Sequence, residues 1–154
     1  MYFWRTDQPG PVQIWKVPSG GGDPVKVTQN GGFSSQESPD GKFLYFTKQT
    51  IKGIWRLPVG GGEETRVLDG FEPSFPGYWA VVDDGIYYLD RTANPQPTIE
   101  FFDFSTRNSK LILALPGIPD AWFGGLTVSP DRHWIVFSQQ QYFSSDLVLA
   151  ENFH

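Results

Sequence analysis

The chain has 154 residues, 39% of them apolar, with six Trp, six Tyr and thirteen Phe, a composition that supports a folded core and excludes general disorder. Its 12 Lys and Arg against 17 Asp and Glu leave a net charge of -5, which argues against contact with a nucleic-acid backbone or an anionic membrane, and the absence of Cys excludes disulfides and thiolate metal centres. The longest apolar run, residues 111–116, is far too short to cross a bilayer, and the polar residues 5–10 interrupt any apolar leader, so the sequence as written is expected in the cytoplasm.

From the N-terminus, the first predicted strands are residues 2–4, 14–17 and 25–28. The last two are joined within IWKVPSGGGDPVKV, residues 14–27, which returns without a gap as IWRLPVGGGEETRV at residues 54–67, an offset of 40. The second group of strands is residues 33–38, 43–47, 54–57 and 65–68, and its first connection is Ser-Pro-Asp-Gly. The third is residues 78–82, 86–90, 99–104 and 110–115; the fourth is residues 126–129, 134–138 and 147–150. SPDGKFLYF at residues 38–46 reappears as SPDRHWIVF at residues 129–137, close to two periods later, with Val82, Asp83, Asp84 and Gly85 before IYYL between them. Fourteen strands result. With the strands of one repeat labelled a to d, their phase is bcd, abcd, abcd, abc.

A repeat of about 40 residues built from short strands predicts propeller blades, since one small sheet cannot bury itself and must stack on a copy. FLYF, IYYL, WIVF and LVLA are apolar at consecutive positions, as strands covered on both faces are. In the a–b turns, Pro39 and Pro130 preset the first central dihedral, and Gly41 and Gly85 are expected at positive φ, a conformation that strains Arg132 in the last copy. Asp40, Asp84 and Asp131 recur at matching positions, where they are expected to cap backbone N–H groups and not to form a metal-binding ring. The glycine runs 20–22 and 60–62 read as hairpin turns, with no following helix to make a phosphate site, and Trp15 and Trp55 read as blade-to-blade packing.

These motifs resemble the WD-like repeats of TolB-type β-propellers, in which a Ser-Pro-Asp-Gly turn precedes an aromatic strand and an Ile-Trp strand precedes a Gly-Gly turn. The closing DLVLAENF, residues 146–153, is similar to the end of periplasmic propellers carried by bacterial membrane proteins, including regulators with a winged-helix domain. The resemblance implies an all-β fold, a partial β-propeller of four-stranded antiparallel blades with two complete blades and two three-stranded terminal ones. The blades are expected at residues 1–28, 33–68, 78–115 and 126–151 of one domain, the C-terminal part of a larger ring. It further implies a non-catalytic binding or scaffold module of a sensor or regulatory protein, periplasmic if its parent is membrane-anchored. Alternatives are the propeller of a prolyl-oligopeptidase-like serine peptidase and a fragment with no independent role.

No catalytic constellation is legible. His133 and His154 are not placed to activate a nucleophile, residues 32–36 fail the G-x-S-x-G pattern at their last position, and no pair of His has zinc-ligand spacing. No cofactor is expected. In a four-stranded blade the a–b and c–d turns share one rim and the b–c and d–a connections share the other. The second rim has the longer and more varied loops, including residues 69–77, 91–98, 116–125 and 139–145. Its candidate binding residues are Phe75, Arg91, Asp120, Trp122, Phe123 and Tyr142, expected to be exposed toward a protein or peptide partner, with a place as plugs of the core the alternative for Trp122 and Phe123. Self-association through open blade edges is also expected.

Overall fold

Strand, turn and strand alternate throughout a computed structural model that describes residues 1–6, 9–119, 124–141 and 144–151. The first sheet is β1 (Tyr2–Thr6), β2 (Val12–Lys16) and β3 (Val25–Lys26), in that order. The second is β4 (Ser35–Glu37), β5 (Phe43–Phe46), β6 (Ile54–Pro58) and β7 (Thr65–Leu68); the third is β8 (Trp79–Val82), β9 (Gly85–Asp90), β10 (Thr98–Asp103) and β11 (Ser109–Ala114). The fourth comprises β12 (Ile118–Pro119), β13 (Leu126–Val128), β14 (Trp134–Gln141) and β15 (Ser144–Glu151). All pairings are antiparallel, and the phase bcd, abcd, abcd, abc holds, so the fold is all-β and a partial β-propeller.

Two details depart from the sequence reading. β14 runs on to Gln141, beyond the reach of β13, and β12 fills the remaining edge by pairing Ile118 with Gln140 and Pro119 with Gln139. The described residues therefore hold fifteen strands, the innermost strand of the fourth sheet being built in two pieces. β3 stops after two residues because the Thr28 side chain takes over the ladder: its Oγ1 accepts the Ile14 N–H at 2.9 Å and donates to Gln13 Oε1 at 2.8 Å. A hydroxyl that competes with the backbone ends a strand early.

The chain forms two units, Met1–Asp69 and Gly70–His154, each with two sheets. In the first, Ile14 of β2 joins Leu44 and Phe46 of β5 and Trp55 and Leu57 of β6 in one core cluster, with Tyr2, Val27 and Val59 at its margin. Ile14, Leu44 and Phe46 are wholly buried, and truncation of such a side chain to Ala costs ~2–5 kcal/mol. In the second unit Tyr78, Ala80, Tyr87, Leu89, Ile99 and Phe101 of the third sheet and its flank pack with Leu126, Ile135 and Phe137 of the fourth. Leu44, Tyr45 and Phe46, and Ile86 to Leu89, are buried at successive positions, so the apolar runs do mark strands covered on both faces.

Candidate functional site

The a–b turns show what the repeated Ser-Pro-Asp motif does. Asp40 Oδ1 accepts the Ser38 hydroxyl at 2.6 Å and the Lys42 N–H at 3.1 Å, while Ser38 Oγ accepts the Phe43 N–H at 3.0 Å. Asp131 repeats the pattern with Ser129 at 2.5 Å and the His133 N–H at 3.1 Å, and the Trp134 N–H donates to Ser129 Oγ at 3.0 Å. The serine hydroxyl first, then the backbone N–H, holds each carboxylate at a pKa of about 2 against an ordinary 3.8. These carboxylates are committed to the turn following Pro39 and Pro130.

Asp84 is not the third member of this set. The a–b connection of the third sheet is shorter, with Val82 pairing directly with Gly85, and Asp84 instead receives the Arg132 guanidinium, which lowers its pKa chiefly through that hydrogen bond. Gly85 likewise does not take positive φ, whereas Gly41 has φ 69° and Arg132 φ 61°. Glycine is needed at 85 for a different reason: a Cβ there would lie 2.3 Å from both Phe101 Cζ and the Phe102 carbonyl oxygen. The c–d turns divide in the same way. Gly61 donates to the Pro58 carbonyl at 2.8 Å with φ 97°, while in the third sheet Asp103 Oδ1 accepts the Ser105 and Thr106 N–H groups, both at 2.8 Å, and Arg107 takes φ 57°. The sequence reading passed over Asp103, although an Asp two residues before Ser-Thr is a legible turn signal.

Of the candidate binding residues, Phe75 and Arg91 belong to the loops of the opposite rim. Residues 69–77 lead into β8 and residues 91–97 leave β9, so both loops lie at one end of the third sheet. Asp90 Oδ1 opens the second loop by accepting the Thr92 N–H and hydroxyl, both at 2.7 Å. Arg91 is exposed, and its guanidinium carbon lies 4.5 Å from the Phe75 ring centroid. Phe75 itself is only 3% exposed; it packs edge-on to Tyr78 at 5.8 Å within the core of the unit. The expectation that Phe75 faces solvent is therefore corrected: it is a buried platform under Arg91. Asp120, Trp122, Phe123 and Tyr142 lie outside the described residues.

The rim is held firmly beneath. Tyr78 Oη donates to the Ser138 carbonyl at 2.6 Å, and the Leu126 N–H donates to the Gly77 carbonyl at 2.9 Å. A Cβ on Gly77 would meet the Gly124 carbonyl oxygen at 2.7 Å, so only glycine permits this approach. Arg91 thus stands on an anchored base.

The first unit holds a feature no motif announced. Lys48 and Glu64 form an ion pair at 2.8 Å with side chains 9% and 13% exposed, and the Lys48 ammonium lies 4.9 Å from the Trp55 ring centroid. The pair walls a cleft of about 490 Å³ with Val27, Gln29, Asn30, Trp55 and Glu63. Desolvation offsets most of the attraction in such a pair. Among the described residues no group of three His, Asp or Glu is placed to hold a metal ion.

No family model and no curated protein matches the chain. Solved structures do. TolB from Acinetobacter baumannii matches with a TM-score of 0.72 at 18% identity, over 91% of this chain and 35% of that one. A chain of a nidogen/laminin complex matches with a TM-score of 0.62 at 15% identity, over 92% of this chain and 57% of that one. A structure from a study of two prolyl endopeptidases matches with a TM-score of 0.56 at 19% identity, over 97% of this chain and 24% of that one. The chain has a TolB-like β-propeller fold and spans about a third of the length of that TolB.

Proposed function

We propose that this chain is a non-catalytic binding module, a part of a propeller whose b–c and d–a rim recognises a protein or peptide partner. The observation that carries the reading is the exposed Arg91 guanidinium stacked 4.5 Å over buried Phe75. Stacking occupies one face of the guanidinium and leaves its in-plane N–H donors for a carboxylate or a backbone carbonyl of a partner. A preorganised arginine of this kind loses little entropy on binding, as recognition hot spots require. On the other rim Asp40, Asp103 and Asp131 are engaged in their turns and Asp84 with Arg132, which supports assigning recognition to this one. The scaffold role within a larger sensor or regulatory protein belongs to the same proposal. The prolyl endopeptidase likeness is one of fold alone.

The test is capture of a partner with the purified chain, followed by affinity measurement with Arg91→Ala and Arg91→Lys. Loss of about tenfold or more in both variants, with an unchanged far-UV spectrum, supports the reading. Binding that survives both changes but is lost on Asp40→Ala or Gly61→Ala, or turnover of a peptide substrate, overturns it.

A further inference from the structure

Every wall of the cleft in the first unit comes from residues 27–64, and the 40-residue repeat accounts for only some of them. Val27, Trp55 and Leu57 follow the shared template, their counterparts being Val67, Trp15 and Val17. Three polar members do not. Glu64 stands where the first copy has Pro24, and Gln29 and Asn30 stand where the second copy has Asp69 and Gly70. The residues that hold the 28–31 loop differ as well, since Gln13 and Thr28 correspond to Gly53 and Leu68. A scaffold residue recurs because each blade meets its neighbours in the same way, whereas a residue confined to one copy answers to something at that place.

The loop that carries Gln29 and Asn30 is fixed from beneath by buried polar groups. Gln13 Nε2 donates to the Gln29 carbonyl at 3.1 Å, and Gln13 Oε1 accepts the Thr28 hydroxyl at 2.8 Å and the Gly31 N–H at 3.2 Å. Gln13 and Thr28 are buried, and a satisfied buried network rigidifies the segment it holds. Across the cleft, Glu64 Oε2 takes the Lys48 ammonium at 2.8 Å, while Oε1 accepts the Gln29 N–H only at a long 3.4 Å. A buried ion pair adds little over apolar packing of the same shape, so stability alone does not explain Lys48 and Glu64 at this place.

The lining is unevenly charged. Two carboxylates, Glu63 and Glu64, face one ammonium, Lys48, which Glu64 already engages. Among the described residues neither the Glu63 carboxylate nor the Asn30 side-chain amide has a hydrogen-bond or ion-pair partner. Val27, Leu57 and the Trp55 indole give the same cleft an apolar side, and its volume of about 490 Å³ lies in the range of small-molecule sites. We propose that the cleft binds an organic cation, an alkylammonium group on a short apolar stem. Its N–H donors meet the Glu63 carboxylate and the Asn30 side-chain oxygen, and its stem lies along Val27, Trp55 and Leu57. The charge draws the head, and burial of the stem adds what an exposed ion pair alone does not supply. A free amine and a lysine side chain share this chemistry. The site uses none of the residues of the Arg91 reading, and each stands without the other.

Titration of the isotope-labelled chain with butylammonium, followed by two-dimensional NMR, tests this. The Trp55 indole N–H, the Asn30 side-chain amide and the Gly62 N–H are expected to shift together and saturate, while butanol or butyrate at equal concentration leaves them in place. Glu63→Gln, at an exposed site, is expected to weaken binding about tenfold or more with an unchanged far-UV spectrum. Asp23→Asn, the matching change in the first copy, is expected to leave binding as in the wild type. Affinity is expected to fall as salt rises. A blocked tripeptide with a central lysine separates the two sources: binding at least as tight as that of butylammonium assigns the site to a lysine side chain, and exclusion of the peptide assigns it to a free amine. Shifts that do not saturate, shifts reproduced by butanol or butyrate, or a Glu63→Gln variant that binds as tightly as the wild type overturns the proposal.

Discussion

Replacing Arg132 with glycine sets two effects of similar size against each other. Arg132 sits at φ 61°, a left-handed conformation that costs a residue with a Cβ ~1–2 kcal/mol, of which glycine returns ~0.5–1 kcal/mol once its greater unfolded-state entropy is subtracted. Its guanidinium also pairs with Asp84, joining the turns of the third and fourth sheets, with side chains 35% and 57% exposed. A pair that open to water contributes only ~0.2–1 kcal/mol, and the Phe101 ring 5.9 Å away adds ~0.5 kcal/mol at most. Arg132→Gly alone is therefore expected to leave stability within ~1 kcal/mol of the wild type, the two effects largely cancelling. In an Asp84→Asn background the pair is already lost, and the same change is expected to stabilise by ~0.5 kcal/mol more than in the wild type. Thermal melts of the four proteins complete the cycle, with ~2–4 °C per kcal/mol for a chain of this size. The coupling is expected to disappear in acid. The folded pKa of Asp84 is depressed, so the stability it contributes is present above the ordinary carboxylate pKa and lost as pH falls through the lowered one. Equal melting shifts in both backgrounds at neutral pH would show that the ion pair does nothing for the fold.

Other outcomes follow from the turns and close approaches. Gly85→Ala is expected to destabilise by ~2–3 kcal/mol or prevent folding, because the new Cβ meets Phe101 and the Phe102 carbonyl at 2.3 Å; an unchanged denaturant midpoint would contradict the packing. Gly41→Ala is expected to cost ~1 kcal/mol from its φ of 69° alone, whereas Gly20→Ala, which meets nothing within 4 Å and needs no positive φ, is expected to be neutral; the paired melts check this. Asp40, Asp103 and Asp131 have folded pKa values of about 2 against an ordinary 3.8, so what they contribute is constant above about pH 5 and is lost as pH falls from about 4 to 2. Carboxyl titrations followed by NMR are expected to find these three below the rest, and ordinary values would refute the turn assignment.

The fold was readable because the repeats carry their own turns and cores. The 40-residue return of Ile-Trp and the triple glycine fixed β2 and β6 in one register, and the unbroken FLYF and IYYL runs identified strands covered on both sides. Sites were less readable. Phe75 looked like a loop aromatic in sequence, but the turn at Glu72 and Phe75 folds its ring inward, and only the cation above it remains outside. Asp84 matched Asp40 by spacing alone; the missing Ser-Pro before it was the sign of a different turn, and its partner Arg132 stands 48 residues away, beyond any local pattern. The Lys48–Glu64 pair shares that character, since the two residues meet across a strand without a motif to announce them.

The stacking of sheets in pairs is most directly tested by methyl and aromatic NOEs in the labelled chain in solution. The δ-methyl of Ile14 in the first sheet is expected to show cross-peaks to side chains of the second sheet among Leu44, Phe46, Trp55 and Leu57, and Leu126 or Phe137 of the fourth sheet to those of the third among Tyr78, Leu89 and Phe101. NOEs confined to strands of the same sheet would contradict the account.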